Sequence, residues 1–479
     1  MIGRYDVRWW GPALVAALAI GLLPPATGGI VLLWLCIPII ALMQPAAAVA
    51  LVILTIPFQD LLYLPGGPSA TQAAVVLAAG GWALRLCAFP EHRLRIGRLF
   101  PFWALLLGAF LLSAVLTPYS RAEALRETAR WGVAALIWLI AIDRVRGQLA
   151  TGTLVACLIA APVGCAVIGI MQFVSGDGPP AFRISADLPF VRAYGTIGQP
   201  NSFAGYLNMG WPLALALSIA VSAMIRRSYP LPQRILLIGS AAILWFVTAI
   251  LLAALLATFS RGAWLGAAAG LLAMCVVFSR RAALALLAVA AVSGGMLLFA
   301  GLGALPEPIA MRLGSISRNL ALFDAAQATV TPENFAVVER MAQLQAAWGM
   351  FLSRPLFGIG PGNYHVAYPA FAVGEWYISR GHAHNVYLHL AAESGIIGLL
   401  AYLALVGSAA AICIGALDRM PSQAYALRLP GPIRRGILLG CCGIISAVAG
   451  HQFFEQLHAL NLTIQYAAVL ALVEIVTRE

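Results

Sequence analysis

Of the 479 residues, 62% are hydrophobic and only 10% charged, with a mean hydropathy of +0.90, whereas a soluble domain carries about a quarter charged residues. That excludes a soluble globular protein. The formal net charge of +11 rests on 29 basic residues, all of them arginine. They are scattered between apolar runs rather than clustered, which excludes a nucleic-acid-binding surface.

The apolar runs have the length needed to cross a bilayer, about 20 residues. In chain order they fall near 10–24, 29–43, 46–63, 70–88, 99–117, 127–143, 149–174, 201–225, 234–258, 262–279, 282–304, 386–416, 436–453 and 459–476. The first three are short or tightly joined, so twelve to fourteen spans are expected. Backbone polar groups must be satisfied internally in lipid, so the spans should be helices. The runs are too uniformly apolar for the alternating strands of a barrel. The expected fold is therefore an all-α, polytopic membrane helix bundle. No cleavable signal peptide is expected, because the first run after Arg4 and Arg8 lacks a cleavage site and further spans follow at once. All eight cysteines lie in apolar segments and read as small core residues.

Arginine placement orients the bundle. One alternating set of loops holds 18 of the 29 arginines, nearly all in short connections. The opposite set holds 11, five of them in the long interval 305–385. By the positive-inside bias, both termini should be cytoplasmic and the long interval outside. The chain then divides into an N-terminal bundle (1–304), a periplasmic loop subdomain (305–385) and C-terminal spans (386–479).

The outer face has three polar stretches. Thr117 to Arg130 reads as an interfacial helix laced by Glu123, Arg126, Glu127 and Arg130. Ser175 to Tyr206 reads as a Gly- and Pro-rich loop carrying Arg183 and Arg192, with Pro200 opening the next helix. Within 305–385, the stretch Pro332 to Arg354 has apolar residues at helical spacing and too many polar ones to span. It reads as an amphipathic surface helix stopped by Pro355.

Candidate chemistry concentrates between Gly358 and Gly398, where four of the seven histidines occur: His365, His382, His384 and His389. Arg192, Arg261 and Arg380 sit at outer boundaries, where an arginine is disfavoured unless an anion compensates. A planar guanidinium suits phosphate oxygens. His384 precedes Asn385 at the start of an apolar helix, a place for a general base near neutral pH. Asn385, His389 and Glu393 recur at a spacing of four and share a helical face. Gly395 and Gly398 should let a neighbouring helix approach. There is no HExxH motif and no tight carboxylate pair, so no metal site is expected.

These residues resemble a known family. His384-Asn385, nine residues and then Gly395-Ile396-Ile397-Gly398 is similar to the histidine motif of the bacterial O-antigen ligase and Wzy-type polymerase superfamily. TFSRGAWLG around Arg261, GQPNSFAGYL at 198–207 and RPLFGIGPGNY at 354–364 extend the likeness over roughly the second half of the chain. The resemblance implies a metal-independent, inverting glycosyltransferase of the GT-C type, with no cofactor. It would take a glycan from undecaprenyl diphosphate at the periplasmic face of the inner membrane and move it to an acceptor sugar, on lipid A-core or a growing polysaccharide. Carried over by position, Arg192 and Arg261 would hold the diphosphate and His384 would orient or deprotonate the acceptor hydroxyl. Asn385 and Arg380 are further candidates for substrate binding, and Glu339 or Glu375 is the next base to consider. Ligase, repeat-unit polymerase and protein O-oligosaccharyltransferase share these motifs. A transporter or flippase would instead place ionisable residues mid-span.

Overall fold

In the computed structural model the described residues are 44–61, 69–184, 189–226, 229–300, 323–331, 334–419 and 429–478. Among them there is no strand, and Arg183 and Val191 form an isolated antiparallel bridge. The all-α membrane bundle expected from the hydropathy is what the chain forms. The helices are α1 (Pro45–Thr55), α2 (Ala70–Ala88), α3 (Phe100–Leu116), α4 (Arg121–Arg144), α5 (Gly147–Ser175), α6 (Pro200–Asn208), α7 (Trp211–Met224), α8 (Leu231–Ala257), α9 (Arg261–Phe278), α10 (Arg280–Ala300), α11 (Phe335–Ser353), α12 (Tyr364–Phe371), α13 (Val386–Arg419), α14 (Gly431–His451) and α15 (Leu462–Thr477). Seven helical stretches among the described residues are long and apolar enough to cross a membrane, and three shorter apolar ones accompany them. The expected spans at 10–24 and 29–43 lie outside the described residues.

The helix ends sort into two polar layers. At one end Asp143, on the last turn of α4, accepts from Trp82 (2.9 Å) and contacts His92 (2.9 Å), Arg144 (2.9 Å) and Arg146 (3.2 Å). Nearby chain ends bring together Arg98, Arg434, Glu474 and Arg478. The other layer holds the start of α4, the turn before α9, the start of α13 and the α14–α15 loop. Helix α14, with 21 residues, connects the two over about 30 Å, the thickness of the hydrocarbon core.

Between the layers, α15 is the central post, with every residue from Leu462 to Val476 buried. Helix α8 is peripheral and turns Leu236, Ile243, Phe246 and Leu256 outward. Lipid offers no hydrophobic drive for helices to associate, so close packing through small residues does the work. Gly262, Gly266 and Gly270 line the face of α9 that meets α14. A Cβ on Gly266 would lie 2.6 Å from the Ala447 carbonyl oxygen and 2.8 Å from His451 Cβ. On its other side α14 presents Gly436 and Gly440 to α7, where a Cβ would meet Ala220 Cβ at 2.8 Å and Leu213 Cα at 2.6 Å. This double glycine seam sets the last turn of α14 against the first turn of α9.

Two local readings change. The polar stretch 117–130 is no separate interfacial helix: Ser120 caps Glu123 N–H (3.2 Å) and one continuous α4 runs on to Arg144. Its ion pairs, Arg126–Glu123 and Arg130–Glu127, are one turn apart at i, i+3. Gly395 does not receive a neighbouring helix. It breaks α13, at φ 65° and ψ −172°, a region open essentially to glycine alone. The backbone of residues 355–360 enters the break: Ile396 N–H donates to Pro355 O (2.8 Å), Ile359 N–H to Ala392 O (3.0 Å) and Gly360 N–H to Glu393 O (2.8 Å). A Cβ at 395 would stand 2.2 Å from Leu356 O.

Gly395→Ala should therefore lose folded protein, since the backbone region alone costs about 1–3 kcal/mol before the collision is counted. Gly407→Ala, which meets nothing within 4 Å, is the matched control. Size-exclusion profiles of the two variants in detergent check this; equal monodisperse yields would remove the role assigned to Gly395.

Candidate active site

The site is assembled from four segments in the layer that contains the start of α13. The first is the loop 189–199. Its Ala193 N–H donates to Ala257 O (2.9 Å), and Arg192 Nε donates to Thr258 O (2.8 Å), pinning the loop to the turn before α9. Arg192 Nη2 donates to Asn201 Oδ1 (2.8 Å) on the first turn of α6.

The second segment is that turn itself. Phe259 sits at φ 49° and stacks near Phe173 and Trp264. Ser260 is the N-cap of α9 and Arg261 its first helical residue. The free N–H groups and positive dipole end of a helix start favour an anion, and the Arg261 side chain adds a full charge there. Gly262 has no room for a side chain, because a Cβ would lie 2.6 Å from Phe454 Cβ.

The third segment is helix α11, which falls within the stretch 332–354 that reads as helical in the sequence. Val338, Met341 and Ala342 face its own core. Ala336, Val337 and Arg340 face a cavity of about 120 Å³ that is also lined by Arg192, Asn201, Ser260, Arg261 and His451. Arg340 Nε is buried with no hydrogen-bond partner among the described residues, as are both ring nitrogens of His451. Three guanidinium groups thus line one small cavity.

The fourth segment is the α14–α15 loop, which docks on the start of α13. Val386 N–H donates to Gln452 O (2.9 Å), Asn385 Nδ2 to Phe453 O (3.2 Å) and the Tyr387 hydroxyl to Ala449 O (2.8 Å). This brings buried Glu455 to the histidines. Glu455 Oε2 accepts from Asn201 Nδ2 (2.7 Å). Its Oε1 accepts from Gln456 N–H (3.1 Å) and stands 3.3 Å from His384 Nδ1 and 3.6 Å from His382 Nε2. Burial pushes this carboxyl up. The hydrogen bond and charge of His384, with His382 and Arg340 behind, outweigh burial and hold it well below the usual carboxylate range.

An ionised carboxylate only accepts, so His384 Nδ1 carries a proton, and in the neutral ring Nε2 is the nitrogen that holds the lone pair. His384 itself lies at φ 53°, a strained position for a side-chain-bearing residue at a ligand-facing turn. His382 has the opposite arrangement. Its Nδ1 accepts the His384 backbone N–H (3.2 Å), which leaves its proton on Nε2. His382, His384 and Glu455 offer ligand atoms within 4.8 Å of one another, a spacing that one cation could bridge. The His382 tautomer fits this poorly, since the nitrogen facing Glu455 is the protonated one.

Of the residues expected from the sequence, Arg192, Arg261 and His384 join this assembly. Asn385 uses its Oδ1 to accept Leu388 N–H (2.9 Å), capping α13, and so places His384 through the backbone. Arg380 is turned away from the cavity and pairs with Glu339 (2.6 Å). His389 is buried one turn deeper, 3.5 Å from Glu393. Four residues of the assembly were not singled out in the sequence: Asn201, Arg340, His451 and Glu455. The run HQFFEQLH at 451–458 carried a usable signal, ionisable residues closing an apolar span. Arg340 carried none, being one arginine on a surface helix.

The class that this fold and site define is a multi-pass membrane protein with an arginine-lined pocket beside a histidine–carboxylate pair at one end of its bundle. Residues 246–403, roughly a third of the chain, match the Wzy_C family model, described as O-antigen ligase. Over that segment the chain is similar to the O-antigen ligase family, in line with the resemblance its motifs carry. The matched segment contains Arg261, Arg340, His382 and His384, while Arg192, Asn201, His451 and Glu455 come from outside it. No curated protein matches the chain.

Burial, then the neighbouring His384, push the His382 imidazole down to about 3, against an ordinary value of about 6.5. The folded state therefore keeps this ring neutral where the unfolded chain would protonate it. Its contribution is full above about pH 6.5 and is lost as pH falls toward about 3. The apparent melting temperature should decline over that window, and less steeply in His382→Gln. An identical decline in the variant would remove His382 as a source.

Proposed function

We propose that the protein transfers a glycan from undecaprenyl diphosphate to the hydroxyl of an acceptor sugar, on lipid A-core or a growing polysaccharide, at the periplasmic face of the inner membrane. The observation that carries this reading is the adjacency of two chemistries. A cavity lined by Arg192, Arg261 and Arg340 lies beside a histidine held by a buried carboxylate, with Asn201 bonded to both Arg192 and Glu455. The arginine-rich layer of the bundle lies at the opposite helix ends, which supports the outward orientation of the site.

The residues divide the reaction between them. The arginines and the start of α9 take the diphosphate and stabilise the negative charge that grows on it as the bond to the anomeric carbon breaks. His384 Nε2 accepts the acceptor hydroxyl proton as that oxygen forms the new glycosidic bond from the opposite face, with inversion. Glu455 keeps the ring in the required tautomer and stabilises the imidazolium formed. Undecaprenyl diphosphate leaves, and the proton passes from His384 to water or to the departing phosphate. Three arginines and a helix N-terminus supply the positive charge that a divalent cation would otherwise bring to a diphosphate. Transfer is therefore expected to proceed without a metal.

With a defined polyprenyl-diphosphate donor and equal amounts of folded protein, His384→Ala should lower transfer about 10²–10⁴-fold. Arg340→Ala, by loss of charge stabilisation, should lower it about 10²–10³-fold. Glu455→Gln should retain folded protein while transfer falls, and EDTA should leave the wild-type rate unchanged. Retention of most activity in His384→Ala would place the base elsewhere, and a chelator-sensitive rate would reinstate a metal at His382, His384 and Glu455. Glycan analysis of a deletion strain identifies the acceptor, separating loss of capped lipid A-core from loss of polysaccharide length.

A further inference from the structure

At the opposite end of the bundle from His384 lies a second cavity, of about 440 Å³, lined by Arg98, Arg419 and Arg434 and by a stretch of α13. Its size is that of a ligand pocket. Its wall is Ala411, Ile412, Gly415 and Ala416, two pairs one turn apart on a single helical face. A Cβ built on Gly415 meets nothing within 4 Å, so this face is left open where the glycines of α9 and α14 are packed tight.

The arginines arrive from three different helix ends: Arg98 precedes α3, Arg419 closes α13 and Arg434 lies on the first turn of α14. Arg98 Nη2 donates to the Thr477 hydroxyl, and Arg434 Nε donates to Val476 O (2.9 Å). The Arg98 bond orients its guanidinium without cancelling its charge. Glu474, the carboxylate of this corner, is taken up by the backbone N–H groups of Arg98 and Leu99 (3.3 Å) and by Arg478 (3.3 Å). From the break at Gly395 to Arg419, α13 rises about 36 Å, so the arginines stand at the bilayer edge and the apolar wall lies within it.

We propose that this cavity binds an anionic phospholipid from the leaflet opposite the active site, its phosphate held by Arg98, Arg419 and Arg434 and an acyl chain laid along Ala411 to Ala416. The guanidinium groups select for the anionic head group. The apolar wall selects for a lipid over a free phosphate, because a soluble anion would leave that wall uncovered.

The test uses the full-length protein in nanodiscs containing a phosphatidylglycerol with a photoreactive acyl chain, compared with a phosphatidylcholine carrying the same chain. The anionic probe should label the α13 peptide that includes residues 411–416 in clear excess over the zwitterionic one. Arg98→Gln and Arg419→Gln should each reduce the excess about fivefold, and Gly415→Leu, which fills the open wall and touches neither charge, should abolish it. Millimolar inorganic phosphate should not compete. Equal labelling by the two probes, or labelling unchanged in all three variants, would reduce the site to ordinary boundary lipid. Displacement by inorganic phosphate would make it a soluble-anion site and overturn the lipid assignment. None of these readouts uses glycan transfer, so they stand or fall apart from the catalytic reading.

Discussion

The carboxylate of Glu455 is the constraint on which the histidine-bearing layer depends. It is buried, and a buried charge is tolerable only where donors surround it. The donors come from three places in the sequence: Asn201 on α6, His384 before α13 with His382 3.6 Å away, and Gln456 beside it. Through Asn201 the requirement extends to Arg192, and through Arg192 to the carbonyl of Thr258 at the turn that carries Arg261. One anion therefore fixes a histidine tautomer and, three bonds away, the position of an arginine turn. The cost of leaving any member of the chain unsatisfied makes the arrangement cooperative.

That network is held in place by packing of a quite different kind. The glycine faces of α9 and α14 bring two backbones into contact, so the ends of those helices have little freedom to slide. His451 is set against Gly262 and Gly266 by this seam, and the loop bearing Glu455 follows directly from His451. In lipid, where apolar burial gives no net drive, small residues at the interior seam do what large ones do in a soluble core.

The bundle was legible in the sequence because a span needs a long apolar run and the runs are plain; α5, α8, α9 and α13 to α15 begin and end within about five residues of their runs, while the run 201–225 is divided into α6 and α7. Arg261 and His384 were legible because each violates an expectation of its surroundings, an arginine at an outer turn and a histidine at a helix start. What could not be read is which polar residues meet across the fold. Arg340, on α11, and Arg380, in the loop before α13, both belong to the polar interval 305–385. The first lines the cavity while the second is spent on Glu339, and no spacing rule separates them. Glu455 is 71 positions from His384, and only the docking of the α14–α15 loop on α13 joins them. The polar start of α4 was misread because its charges look interfacial, although a cap at Ser120 makes it the first turns of a longer helix.

The break at Gly395 ties the segment 355–364 to the span α13 through their backbones. The backbone of residues 355–360 supplies hydrogen-bond partners to peptide groups on both sides of the break. The Glu393 side chain in turn accepts the N–H groups of Gly362 (2.7 Å) and Tyr364 (2.9 Å). Peptide groups within a span have no water to fall back on. Detaching the segment 355–360 would leave those of α13 bare, so α13 cannot be finished until that segment is in place. The two should be acquired together during biogenesis and inherited together. Exchanging residues 355–364 alone between related chains would then disturb the span they dock on, and a transferable unit has to include both.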